Sequence, residues 1–366
     1  MNVLHVSSGR GPTGAAAAAM TDVRALVAAG HRAFIVARRG SGLAHACQAE
    51  AVPCLPALRR GHGAFRLLHL PHDVRCLRSL IREYAVDVLH VHRSDDQLLA
   101  AAALGRMLSA RLVRTWHRDP AGVPWPLRGR LASQPDGCVC VARDHAARLL
   151  RAGARRCEFI HAAVDTALYR PAERATASGG IRIVHVGRWK RDRKGRDRGQ
   201  RAALDVFARL PPAARWKGFL VGRGELADAL RHEAYGKREL SEERVEFINF
   251  AEQAPQRLAA LLATFHLGLV FTPGSDGTSR AALELLACGV PLIVADRPGL
   301  RELAEDRACA MRELPDDPAG WARAIAGLLA APERLADMSR AARERAERTH
   351  ALALRGAALA EFYRAV

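Results

Sequence analysis

Hydrophobic and polar positions along the chain form short apolar runs separated by longer stretches of helical periodicity. In the first half the apolar runs are Asn2–Val6, Ala33–Ala37, Val86–His92, Arg111–Trp116, Gly137–Ala142 and Glu158–Ala162. Helical patterns such as Ala15–Ala29 and Asp73–Tyr84 lie between them. Runs that are apolar throughout, rather than alternating, belong to strands buried on both faces, so the pattern predicts βαβ units on a parallel sheet. Residues 171–180 carry no apolar periodicity and read as a linker. Beyond them the alternation restarts with Ile181–Val186, Gly218–Val221, Val245–Ile248, Leu267–Phe271 and Leu292–Ala295, and with helices over Ala202–Leu210 and Pro255–Ala263. The last stretch, from Pro332, is helical: a charged run, Arg340–His350, reads as a solvated face, and the apolar run Ala351–Phe362 must pack on something.

The expected fold class is therefore α/β, two Rossmann-like domains facing across a cleft. The first covers residues 1–172 and is completed by a C-terminal helix of about 350–366; the second covers 173–349. A length of 366 residues agrees with two cores rather than one. Ligands of such sheets bind outside the carboxyl ends of the strands, which makes the cleft the expected site.

Composition narrows the class. Hydrophobic residues make up 49% and charged residues 26%, as in an ordinary soluble protein. No stretch approaches the roughly 18 apolar residues of a membrane span. The N-terminus reads as a strand rather than a leader, so a cytoplasmic location is expected. Eight scattered cysteines without a CxxC pair argue against a disulfide framework or a zinc site; Cys138 and Cys140 have strand spacing and read as small core residues. The net charge of +18 concerns partners: nucleic acid, an anionic membrane surface or phosphorylated substrates, with a solvated arginine-rich surface as the plain alternative.

Candidate chemistry concentrates in Phe271–Ala295. A strand ends near Phe271, a Gly/Ser/Asp loop follows, and a helix opens near Ser279 and stops before Gly289, with Pro291 beyond. The helix mouth offers backbone N–H groups from Gly277, Thr278, Ser279 and Arg280, a ready site for a diphosphate. Glu284 stands alone among apolar helix positions and leans back toward that mouth, where a carboxylate can accept from two ribose hydroxyls. Asp276 in the loop can do the same for a sugar. Taken singly, Asp276 also fits a cap or turn residue and Glu284 a buried ion pair.

At this spacing the segment resembles the donor-binding motif of family-four retaining glycosyltransferases of the GT-B fold. That motif has two acids separated by seven residues, then Ala-x-Gly-x-Pro, here Asp276, Glu284 and Ala287–Pro291. The family usually has Glu at the first place. Val186-Gly187-Arg188 with Lys194-Gly195 resembles its phosphate clamp, inside a basic run in which Lys190 is an alternative to Lys194. Leu220–Glu225 is similar to its next strand-turn-helix, Ile160–Pro171 to its interdomain passage, and Asp87–His92 and Arg114–His117 to strand ends of its N-terminal domain.

The resemblance implies a nucleotide-diphosphate sugar as donor substrate, with no separate cofactor and no metal. Arg188 and Lys194 would grip the diphosphate, Glu284 the ribose, and Asp276 and His117 the sugar. The turn containing Gly11 and Gly14 would lie near the phosphate or the acceptor. His117 on its own also fits a loop histidine, and His92 is a weaker candidate of the same kind. The acceptor would be a glycan or lipid-linked molecule of the cell envelope, met at the inner membrane face through peripheral contact. Two rivals differ in class: a nucleotide-sugar epimerase or phosphorylase of the same fold, and a basic nucleic-acid-binding protein. Against the latter, aromatic content is 5% and no stacking motif appears, so no nucleic-acid partner is expected.

Overall fold

The computed structural model describes the chain except residues 13, 60–67, 106–108, 173–179, 192–194, 251–254 and 273–278. It divides into two compact units. Among the described residues, one comprises Met1–Ala163 with Ala351–Val366, and the other runs from Val164 to His350.

The first unit is built on a seven-stranded sheet: β1 (Asn2–Ser7), β2 (Arg32–Arg38), β3 (Cys54–Leu58), β4 (Val88–Val91), β5 (Arg111–Trp116), β6 (Gly137–Cys140) and β7 (Cys157–Phe159). The order is β3-β2-β1-β4-β5-β6-β7, and every pairing is parallel. Alternate residues of one strand feed two different cores. Val3, Ile35 and Val88 pack with the helices Ala15–Ala28 and Leu352–Ala365, whereas Leu4, Val36 and Leu89 pack with the helices Leu70–Glu83 and Ser94–Leu104. This is why these strands read as continuous apolar runs. The last helix lies against the first because Gly356 has no side chain: a Cβ there would meet the Ala25 carbonyl oxygen at 2.0 Å.

The second unit repeats the plan with β8 (Ile181–Val186), β9 (Trp216–Gly222), β10 (Val245–Asn249), β11 (Leu267–Val270), β12 (Leu292–Ala295) and β13 (Ala310–Glu313), ordered β10-β9-β8-β11-β12-β13 and all parallel. Both sheets are Rossmann-like. Each reverses strand order once, between β1 and β4 and between β8 and β11, and such switch points are where open α/β sheets bind ligands.

Two strands went unpredicted. β3 is an edge strand interrupted by Pro56, and β13 is a four-residue edge strand, Ala-Met-Arg-Glu; neither shows a buried apolar run. The run expected over Glu158–Ala162 is corrected to Cys157–Phe159, because this edge strand pairs with β6 only over those residues. All eight cysteines are free thiols, and Cys138 and Cys140 lie in one apolar cluster. Among the described residues, no helix is long and apolar enough to cross a membrane.

Candidate functional site

In the second unit the switch point is assembled from three pieces of chain. The first is the end of β8. Gly187 N–H donates to the Val221 carbonyl at 2.9 Å, and Trp189 N–H to that of Arg223 at 2.9 Å, so the chain leaves the strand alongside the end of β9. That contact requires glycine at 222, where a Cβ would sit 1.9 Å from the Gly187 carbonyl oxygen. Arg188 is half-buried on this turn.

The second piece closes the basic run. Gln200 is fully buried; its Nε2 donates to the Arg188 carbonyl at 3.1 Å and its Oε1 accepts from Arg198 N–H at 2.8 Å. The run therefore returns on itself. Gly199, with φ +102°, presses against Phe271, where a Cβ would stand 2.7 Å from the Phe271 Cβ. Thr272 Oγ1 completes the link by donating to the Arg198 carbonyl at 3.1 Å. The end of β8 and the end of β11 are thereby joined.

The third piece is the helix Arg280–Ala287. Ser279 is its N-cap, accepting from Ala282 N–H at 3.2 Å. Glu284 is 4% exposed, and Arg280 Nε donates to its Oε1 at 2.9 Å. Tyr169 is also buried here, and burial together with the Glu284 carboxylate pushes its phenol up. Arg343 ties the Tyr169 segment down, bonding the carbonyls of Thr166, Tyr169 and Ala287 at 3.2, 2.9 and 2.8 Å. The result is a buried carboxylate one turn into the helix that Ser279 caps, held by Arg280, with the arginine-bearing glycine turn at the end of β8, the strand that neighbours β11. Such a place binds anions through dipoles and carbohydrate hydroxyls through the carboxylate.

In the first unit the switch point carries a stack of histidines. His5 on β1 pairs in register with His90 on β4, and their rings lie 4.6 Å apart. His92, two residues on, stacks on both His90 and His117, the residue following β5. His92 Nε2 is 3.1 Å from His5 Nδ1, and its Nδ1 is 2.9 Å from His117 Nε2. Burial lowers the pKa of His5 to about 4 and those of His90 and His92 well below the usual histidine value. Beneath them Arg355 of the last helix holds Asp22 through both carboxylate oxygens, at 2.5 and 3.1 Å. His5, Asp22, His90 and His92 place donor atoms within 4.8 Å of one another. However, Asp22 is engaged by Arg355, and His90 by Tyr363 and Thr115 at 2.6 and 2.7 Å. The cluster is thus a hydrogen-bonded core in which a guanidinium already neutralises the carboxylate. Asp96 is also structural in use: it accepts from Ser8 Oγ at 2.5 Å and from Ser8 N–H at 3.2 Å.

A family model described as Glycosyltransferase Family 4 matches residues 12–168, and one described as Glycosyl transferases group 1 matches residues 180–331. The chain belongs to the family-four glycosyltransferases. It is similar to the glycogen synthase of Mycobacterium tuberculosis strain H37Rv, 27% identical over 284 residues that cover 72% of this chain and 65% of that protein. It is also similar to the GDP-mannose-dependent alpha-(1-6)-phosphatidylinositol dimannoside mannosyltransferase of M. tuberculosis strain H37Ra, 30% identical over 229 residues covering 60% of this chain and 55% of that one. The match spans less than two thirds of the length of these relatives. Among solved structures, Anabaena Alr3699/HepE in complex with UDP has a TM-score of 0.80 at 19% identity, covering 100% of both chains. That likeness shows the fold, GT-B.

For this family-four chain, the residues expected from sequence fall into three groups. Arg188, Ser279, Arg280 and Glu284 lie at the carboxyl-end side of the second sheet, as described above. His117 lies at the end of β5 in the first unit, where Gly14, with φ +57°, precedes the helix Ala15–Ala28; Gly11 sits on the same turn, with open space where a Cβ would be. Lys194, Asp276, Gly277 and Thr278 lie outside the described residues. Sequence reasoning missed Gln200, Tyr169, and the His5, Asp22 and Arg355 cluster. A signal for part of the cluster was present: His90 and His92, two apart in a strand, must face the same way.

Proposed function

We propose that this chain transfers a glycosyl group from a nucleotide-diphosphate sugar to a glycan or lipid-linked acceptor of the cell envelope, with retention of anomeric configuration. The observation that carries the reading is Glu284: a buried carboxylate, held by Arg280 in the first turn of a helix capped by Ser279, at the switch point of the second sheet. In this reading Glu284 takes the ribose hydroxyls. The diphosphate meets the helix mouth, with Gly277 to Arg280 offering N–H groups and with Arg188 and Lys194 as its cations. Asp276 and His117 bind the sugar, and the Gly11–Gly14 turn serves the phosphate or acceptor. The cations and N–H dipoles stabilise charge that develops on the leaving diphosphate, where preorganised electrostatics lowers a barrier most. No metal is required in this scheme, since arginine and lysine supply the positive charge. Structures of Anabaena HepE in complex with UDP and with UDP-glucose, and relatives named as glycosyltransferases, support the reading. Peripheral contact with an anionic membrane belongs to the same proposal.

The test is thermal stabilisation of the full chain by UDP, GDP, ADP and CMP and their sugars. A ligand at 100 times its dissociation constant stabilises by about 2.7 kcal/mol. One series is expected to raise the melting point, and Glu284→Ala to lose both that shift and donor turnover while still unfolding cooperatively. Turnover retained by a folded Glu284→Ala protein would remove Glu284 from the site.

A further inference from the structure

His5, His92 and His117 form a line of imidazoles joined nitrogen to nitrogen, at 3.1 Å between His5 Nδ1 and His92 Nε2 and at 2.9 Å between His92 Nδ1 and His117 Nε2. All three are buried, with exposures of 0%, 5% and 6%. Burial and the nearby Arg355 keep His5 and His92 neutral near pH 7. A neutral imidazole has one N–H and one bare nitrogen. For His92 to hydrogen-bond on both sides, the protons in the line must therefore all point the same way, and only two arrangements exist.

They differ at the buried end. If the protons point toward His5, the proton of His5 sits on Nε2, an atom that has no hydrogen-bond partner among the described residues. If they point toward His117, His5 carries its proton on Nδ1 and leaves only a lone pair unmet. A buried N–H without an acceptor is the rarer defect, since it forfeits a donor that water would have satisfied. The Asp22 carboxylate, 3.8 Å from His92 Nε2, draws the proton of His92 the other way. Yet Arg355 engages both Asp22 oxygens, at 2.5 and 3.1 Å, and offsets most of that pull.

The geometry points to His92 and His5 as positioning residues that hold His117 in its Nδ1–H tautomer, with Nε2 accepting from His92. The proton of His117 then sits on Nδ1, and its ring is fixed by the bond at Nε2 and by stacking on His92 at 5.2 Å. The functional consequence rests on the reading of His117 as a donor-sugar residue: a fixed N–H suits a sugar hydroxyl oxygen, and the free-running alternative, Nε2–H, would offer the opposite polarity at each nitrogen.

The tautomer can be read without any substrate. Nitrogen-15 NMR of histidine-labelled full-length protein, with His117 identified by its loss in His117→Gln, is expected to show a protonated Nδ1 and a bare Nε2. In His92→Leu the pair should invert or average, and kcat should fall by about tenfold, one hydrogen bond's worth, with little change in donor KM. In His92→Asn, whose amide N–H can replace the Nδ1–H, the tautomer and most of kcat should return. An Nε2–H tautomer in the unmodified protein, or an unchanged one in a folded His92→Leu, overturns the proposal. If His92→Leu does not fold, the unmodified protein and His92→Asn decide the question. The expected tautomer in a protein that turns over no nucleotide sugar would sink the functional reading and leave the tautomer lock standing; turnover with the wrong tautomer would do the reverse.

Discussion

Arg280 and Glu284 sit one helical turn apart, joined at 2.9 Å, and the pair is lopsided: the arginine side chain is 53% exposed and the glutamate 5%. The guanidinium aims one carboxylate oxygen from the wet side of the helix mouth. Arg280→Ala should therefore loosen Glu284 without unfolding the helix, since alanine is the best helix former. Losing one charge-assisted hydrogen bond should raise the donor KM by about tenfold and leave kcat nearly unchanged, the signature of uniform binding. Steady-state kinetics with varied donor checks this, and an unaltered KM would separate Arg280 from the donor.

The turn bearing Arg188 depends on a residue of another strand. A Cβ at Gly222 would approach the Gly187 carbonyl oxygen to 1.9 Å and the Trp189 Nε1 to 3.1 Å. Backbone must move, since neither neighbour is a flexible side-chain tip. Gly222→Ala is expected to cost about 1–3 kcal/mol in urea unfolding, as overpacking does. It should also weaken nucleotide binding, because the displaced segment is Gly187–Arg188. A variant that loses stability yet binds nucleotide as before would show that Arg188 is not positioned by this contact.

Much of this architecture is legible in the sequence alone. Strands such as Ile181–Val186 and Leu292–Ala295 announce themselves because both faces are buried, and the helix stop at Gly289 and Pro291 bounds the acid-bearing helix. β3 and β13 were not legible, because an edge strand needs only one buried face and tolerates Pro56 or Arg312. Glu284 was legible as an isolated acid in an apolar helix. The Gln200 clamp was not, since its partners Arg188 and Arg198 are fixed only when the basic run folds back. The histidine line needed more still: the register that sets His5 opposite His90, and an arginine 333 positions from its aspartate.

Those buried histidines also make a pH prediction. His5 has its pKa lowered to about 4, and His90, His92 and His185 are lowered too, all by burial. Their unfolded value is about 6.5. Between that value and the folded one the unfolded chain binds more protons, so stability is fully present above pH 6.5 and is lost as pH falls toward 4. Below pH 6.5 His5, with its value near 4, should remove up to about 1.4 kcal/mol per pH unit, and the other three act in the same direction. Asp96, pushed up by burial, works in the opposite sense, so the histidine contribution is read from the difference between the unmodified protein and His5→Asn. Urea unfolding at pH 7, 6 and 5 should show a steepening loss, reduced in His5→Asn. A flat profile across that window would mean the histidines are already charged in the folded protein.

Trp125 offers a direct probe of membrane contact. Of five tryptophans, Trp116, Trp189, Trp216 and Trp321 are buried, whereas Trp125 is 73% exposed. Around it Ala121, Gly122, Pro124, Pro126 and Leu127 are exposed as well, with exposed Arg118 and Arg130 to either side. An apolar tip carrying tryptophan and flanked by arginines fits the headgroup region of an anionic bilayer, where the ring sits at the interface and the charges meet lipid phosphates. Because the other four rings are enclosed, a change in tryptophan emission on adding vesicles reports on Trp125. Vesicles containing anionic phosphatidylglycerol should shift the emission to the blue at low salt, and phosphatidylcholine vesicles should not. Raising salt to about 1 M, where the Debye length is about 3 Å, should reverse most of the shift. Trp125→Ala should abolish the shift and weaken vesicle co-sedimentation while nucleotide-induced stabilisation stays as it was, since Trp125 itself is not among the residues assigned to the donor. Binding to anionic vesicles that persists undiminished in Trp125→Ala would move the contact to another basic surface. No binding by either protein would leave the charge of +18 to a different partner.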